Sequence, residues 1–206
     1  MRHKNCQKYI LIFFILYNFS LRIYAAEVGL LPYKKNLIQK ILTGEIFSES
    51  KVKDEKNGEA KTQSLKFNIA GLHPKSCDYA LKKLSLYEHY STFLDFVKIS
   101  QYNEKTQELN FLLSHRFLPY DMRLIFSLPR IREEGIYTFE FKNGFLKNLK
   151  GSINVSTYNS RCLFFAKADW SGPDTGIHAK IFETFSQVLA RFSMEKLFRI
   201  SSTLSH

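Results

Sequence analysis

"CLFFAKADWSGPDTGIHAKIFETFSQVLARF", Cys162 to Phe192, changes its hydrophobic period midway. Cys162, Phe164, Ala166, Ala168 and Trp170 alternate with their neighbours, the period of a strand with one buried face. Past Ser171-Gly172-Pro173 the apolar residues Ile177, Ile181, Phe185, Val188 and Phe192 recur at helical spacing. Phe182 and Leu189 widen that stripe. Asp174 or Thr175 is placed to cap the helix. Carried on to Phe198, the helix runs about 22 residues, or roughly 33 Å at its usual rise.

Upstream of this strand the chain alternates again and again. Leu109, Phe111, Leu113 and His115 share one strand face, and Leu118, Tyr120, Met122, Leu124, Phe126 and Leu128 share the next. Tyr137, Phe139 and Phe141 alternate with polar residues up to Asn143-Gly144, a strong signal for a two-residue hairpin. Leu149, Gly151, Ile153 and Val155 follow, and Tyr158 to Arg161 turns the chain into the last strand. Nearer the start, strands over Ile46–Val52 and Ser64–Ala70 flank a hairpin at Asn57-Gly58. Between them and Val97 lie two short helices, broken near Ser85, with Cys77, Ala80, Leu81 and Leu84 on one face. A long antiparallel meander with one apolar face must cover it, and the C-terminal helix is the element long enough to do so. The fold class is α+β: a curved antiparallel sheet wrapped around a long C-terminal helix, with two short helices after the first strands.

The N-terminus has a different character. Arg2, Lys4 and Lys8 precede the apolar run Tyr9–Tyr17, and "RIYAAE" follows with Ala25 as a cleavage position. Asn18, Ser20 and Arg22 cut the run short of the roughly 20 apolar residues of a bilayer span. The order reads as a cleavable signal peptide over 1–25, with export to a bacterial periplasm and a secretory route as the alternative. A lead-in helical segment over 26–43 comes next, then one domain over 44–202 and a tail over 203–206. The whole chain has 30 Lys and Arg against 19 Asp and Glu. Four of the basic residues lie in the leader, so the mature chain carries 26 against 19, a net charge of +7. Such a balance favours anionic membrane surfaces over acidic partners. Arg116, Arg123, Arg130, Arg132 and Lys142 are the candidates for a basic rim, or for a solvated sheet face. Nucleic acid is not an expected partner of an exported protein. Cys77 and Cys162 remain after cleavage, either as a disulfide or as two buried thiols.

The order of elements resembles the START-like, or helix-grip, superfamily, which includes polyketide cyclases, coenzyme Q-binding proteins and lipid-transfer domains. The resemblance is carried by "GEIFSES" with "SLKFNIAG", by "CDYALKKLSLYEHYSTFL", by "GIYTFEFKNGFLKNLKGSINV", and by "ADWSGPDTGIHAKIFETFSQVLARF". It spans about residues 44 to 200 and implies a cavity for an apolar ligand between sheet and helix. Phe111, Tyr120, Phe126, Tyr137, Phe139, Phe185 and Phe192 are the expected lining, and a lipid or other hydrophobic small molecule is the expected ligand. The same residues could instead pack into a filled core, which would make the chain an interaction module. A cyclase- or hydrolase-like enzyme needs an ionisable group aimed inward. His115 is the candidate, with Tyr120 or Tyr137 as hydrogen-bonding partner. The alternative for His115 is a strand-end histidine, since no acid shares its expected face. Asp169 and Asp174 read as a strand-end charge and a cap. No metal site and no cofactor are expected, because the histidines lack ligand spacing. Met194, Leu197 and Phe198 leave the helix stripe, for contact with the lead-in helix or with a partner.

Overall fold

The computed structural model describes residues 31–57, 60–116, 120–144 and 146–203. The leader expected over 1–25 lies outside the described residues. The chain clusters into two compact units, 1–39 and 40–206. Helix α1 (Lys35–Leu42) matches the lead-in helix, and the remaining elements belong to the second unit.

Eight described strands form one antiparallel sheet: β1 (Phe47–Asn57), β2 (Ala60–His73), β3 (Val97–Asn103), β4 (Glu108–Leu113), β5 (Met122–Ser127), β6 (Gly135–Asn143), β7 (Lys150–Tyr158) and β8 (Arg161–Pro173). Their spatial order is β1-β2-β8-β7-β6-β5-β4-β3, so the last strand joins the first hairpin to the meander. Between β2 and β3 lie α2 (Cys77–Leu84), a single 3₁₀ turn at Tyr87–His89 and α3 (Tyr90–Phe93). Helix α4 (Ala179–Thr203) closes the order at 25 residues. The fold is the expected α+β arrangement of a curved sheet gripping a long helix.

Two elements differ from expectation. The first hairpin runs past Val52 to a close at Asn57 opposite Ala60. Apolar alternation stops at Val52, but the backbone ladder needs no apolar side chains, so the charged arms stay paired. Asn143-Gly144 does not make a two-residue hairpin. Phe141 N–H donates to Leu149 O and the regular ladder resumes at Glu140 opposite Lys150. The longer connection lets Leu146 and Leu149 pack with Phe182 and Trp170, and that burial outweighs the local turn preference.

The inner face is graded in size. Phe67 faces Ala168, Ile69 faces Ala166, and Ala168 in turn faces Gly151. A Cβ on Gly151 would lie 2.4 Å from the Phe139 ring and 2.3 Å from Lys167 O. Glycine there leaves room for the Phe139 ring over the strand. Small residues at the centre and aromatic ones around them leave space beneath the helix.

Cys77 and Cys162 are joined as a disulfide, with 4.5 Å between their Cα atoms. The bond ties the start of α2 to the start of β8, 85 residues apart. His73 sits opposite Cys162 in the ladder and is fully buried. Its Nδ1 accepts from Lys75 N–H at 3.0 Å, so Nε2–H donates to Ser201 Oγ at 2.9 Å. Ser201 passes its own proton to Leu197 O at 2.6 Å. Burial pushes the His73 pKa below its usual 6.5, and the neutral ring anchors the C-terminal end of α4.

Candidate ligand chambers

Helix α4 begins at Ala179, about one turn later than a cap at Asp174 or Thr175 would place it. His178 caps it, with Nδ1 accepting from Lys180 N–H at 3.3 Å. Asp174 and Thr175 shape the approach instead, accepting from the amides of Gly176 and Ile177 at 2.9 and 3.2 Å. Along one side, α4 lies against the edge strand β1. Val52 N–H donates to Glu183 Oε1 at 2.8 Å, Ser186 Oγ accepts from Ser50 Oγ at 2.8 Å, and Gln187 Nε2 donates to Ser50 O at 3.3 Å. These polar contacts cover an open sheet edge and set the rotation of the helix.

Two cavities lie between α4 and the sheet, of about 430 and 360 Å³. The larger reaches α2 and is bounded on the helix by Met194, Leu197 and Phe198. The smaller lies over β4, β5 and β6 and is bounded by Phe139, Phe182, Phe185 and Leu189 among others. Both are lined in part by Tyr90, Phe111, Phe126, Ala190, Ser193 and Leu197, so they share walls. Phe111 stands edge-on to Phe126 at 5.6 Å and stacks on Tyr90 at 5.9 Å. The linings are almost wholly apolar, and their side-chain hydroxyls already have partners. Tyr87 donates to Pro129 O at 3.1 Å, Tyr90 to Leu84 O at 2.7 Å, Ser186 to Phe182 O at 2.8 Å, and Ser193 to Leu189 O at 2.6 Å. Burial pushes the pKa of Tyr87 and Tyr90 upward, keeping both phenols protonated.

A third, outer pocket of about 370 Å³ shares Phe96, Phe185 and Leu189 with the smaller chamber and adds Asp95, His115, Arg116, Val188 and Phe192. On this side α4 packs through Phe185, Leu189 and Leu197 on the cluster of Leu94, Phe96 and Val97, with a tilted ring pair, Phe96–Phe192 at 6.1 Å, and Lys196 Nζ on Asp95 at 2.6 Å.

Solved structures of the same shape are numerous. A conserved protein from Geobacillus kaustophilus superposes with a TM-score of 0.56 at 14% identity, over 68% of this chain and 97% of its own. A START superfamily protein from Mycobacterium smegmatis gives 0.53 at 9% identity, over 68% and 99%. A STAR-related lipid transfer protein from Xanthomonas axonopodis gives 0.50 at 12% identity, over 74% and 99%. The fold is START-like. No protein-family model and no curated protein matches the chain.

Within this START-like sheet and helix, the expected lining residues separate. Phe111 and Phe126 border both chambers, and Phe139 and Phe185 border the smaller. Tyr137 packs on the core with its hydroxyl on Glu133 O at 2.9 Å, but borders neither chamber. Tyr120 is half exposed, in a bend ahead of β5. Its alternation with Met122 suggested an inward face, but the strand begins only at Met122. Phe192 is 48% exposed and lines only the outer pocket of the three. His115 lies two residues past the end of β4, at that outer pocket rather than inside a chamber.

The helix stripe is rotated from its expected setting. Ile181 and Val188 are 63% and 61% exposed, whereas Phe182 is 2% exposed. Phe182, Phe185 and Leu189 of the expected stripe do face the sheet, joined by Ser186, Ala190, Ser193 and Leu197. Ser186, Ala190 and Ser193 are small or hydroxylic, so hydrophobicity alone did not find them. Met194, Leu197 and Phe198 were expected to pack away from the cavity, yet they border the larger chamber.

The expected basic rim also separates. The Arg130 guanidinium is nearly buried, held by Glu88, Glu104 and Ser85 O and lying 4.5 Å from the Tyr102 ring centre. Arg132 pairs with Glu104, Lys142 with Glu140, and Arg123 donates to Asn110 Oδ1. Of the five, Arg116 alone lines the outer pocket. Among the described residues, no three His, Cys, Asp or Glu side chains gather as a metal site.

Proposed function

We propose that this chain is an exported carrier that holds a lipid or similar hydrophobic molecule between its sheet and α4. The two chambers of about 430 and 360 Å³ carry this reading, because their linings are apolar and their hydroxyls satisfied. Volumes of this size fall in the range of small-molecule sites, and transfer of hydrocarbon out of water supplies the affinity. The resemblance to a STAR-related lipid transfer protein supports the ligand class. The Cys77–Cys162 disulfide and the leader sequence support an oxidising location, with a bacterial periplasm as the setting. Val188 and Phe192 are exposed at the outer pocket, and Ile181 is exposed on the same helix. With a basic net charge, that edge suits loading at an anionic membrane surface.

The test is native mass spectrometry of the mature protein purified without detergent, followed by organic extraction. A co-purifying lipid or quinone is expected. A clean mass that stays clean after incubation with phosphatidylglycerol vesicles and with ubiquinone would overturn the reading.

A further inference from the structure

The two chambers lie one after the other along α4. Phe182, Phe185, Ser186 and Leu189 border only the smaller, and Met194 and Phe198 only the larger. On β8 the same division falls between Ala168, in the smaller, and Ala166, in the larger. Where the chambers meet stand Tyr90, Phe111 and Phe126, each of which borders both. Leu197 borders both from the helix.

The three rings are consecutive members of one stack. Phe141 lies flat on Phe126 at 4.7 Å, Phe126 meets Phe111 edge-on at 5.6 Å, and Phe111 stacks on Tyr90 at 5.9 Å. Tyr90 in turn meets Tyr87 edge-on at 5.8 Å, and its hydroxyl donates to Leu84 O at 2.7 Å. Centroid separations of about 4.5–7 Å are those of rings in contact, so a hydrocarbon chain does not pass between neighbours in the stack. The linings offer a ligand no polar partner either. Tyr87, Tyr90, Ser186 and Ser193 all give their protons to protein oxygens, and a charged group buried there would stay unpaired.

Resting on the carrier reading, we propose that Tyr90, Phe111 and Phe126 form a partition, and that the protein carries two compact, uncharged hydrophobic molecules, one in each chamber, rather than one long chain across both. A ligand is then limited by the chamber it enters, of about 430 or 360 Å³, and not by their sum. Phe111, at the centre of the three rings, sets that limit. Lengthening a ligand tightens binding as long as further methylenes are buried, and the gain stops where the chain meets the rings.

The experiment is titration of the full mature chain with N-phenyl-1-naphthylamine, followed by displacement of the probe with 1-decanol and with 1-tetradecanol. The hydroxyl is common to both alcohols, so its cost cancels. The wild type should take two probes per chain. Ala168→Leu and Ala166→Leu, which push a larger side chain into the smaller and the larger chamber respectively, should each take one. Tetradecanol should displace the probe no better than decanol in the wild type, and about tenfold better in Phe111→Ala. The alanine-to-leucine pair tests the division even if Phe111→Ala does not fold. One probe per chain in the wild type overturns the partition, as do two probes retained in both leucine variants. So does a preference for tetradecanol that is as large in the wild type as in Phe111→Ala. In each of these cases the carrier reading stands. If neither the probe nor either alcohol binds the wild type, the carrier reading fails and this one with it.

Discussion

At the scale of single residues, chemistry was legible where geometry was not. A lone histidine before a proline, as His73 is, has many possible roles in a sequence. In the structure it is fully buried, with both ring nitrogens bonded, and its pKa is depressed from 6.5 by that burial. The unfolded chain therefore takes a proton as pH drops through 6.5, while the native ring resists it until lower pH. Stability from this site is fully present above 6.5 and declines as pH falls toward the native pKa. Urea titrations at pH 7.5 and 5.5 should show that fall, and a folded His73→Gln variant should show less of it. An identical pH dependence in the variant would remove His73 as its source. Gly151 makes a different argument, because its missing Cβ is what admits the Phe139 ring. The Gly151→Ala variant must move either the Lys167 carbonyl or that ring, at about 1–3 kcal/mol, read as a lower urea midpoint. His115, chosen for its place on an apolar run, proved to lie beyond the strand that would have aimed it inward.

At the scale of elements, period identified the type and the order, but not the facing. Every strand with clear alternation formed, and the strand-to-helix change after Trp170 is real. The facing of α4 differed because its rotation is set by Glu183, Ser186 and Gln187 on the edge of β1. A stripe of apolar residues could not report that. The difference is measurable. Phe182→Ala should cost about 3–5 kcal/mol of stability, as for other buried aromatics. Val188→Lys, one of the residues first expected inside, should change stability by no more than about 0.5 kcal/mol. A large loss from Val188→Lys would restore the original facing.

At the scale of the whole molecule, the disulfide and the hollow centre are long-range facts. Cys77 and Cys162 meet because β8 returns between β2 and β7. Removing the bond with a Cys77→Ala/Cys162→Ala pair should lower stability by about 2–5 kcal/mol, by freeing a long loop in the unfolded chain. Phe185→Asp places a charge in the wall shared by the smaller chamber and the outer pocket. It should weaken retention of an apolar probe while the thermal transition persists, and a folded variant with full retention would show that Phe185 is no part of the binding wall. The sequence by itself determined the class of each element, their order, the curved sheet with its one long helix, and the aromatic character of the inner face. These follow from local periodicity, which backbone geometry imposes within a few residues. Only the tertiary structure decided the rotation of α4, the pairing of the cysteines, the separation of Tyr120 and Phe192 from Phe111, Phe126 and Phe139, and the cavities themselves. Each depends on residues far apart in the chain meeting in space, and a cavity is made by what small side chains such as Gly151, Ala166 and Ala168 leave unfilled.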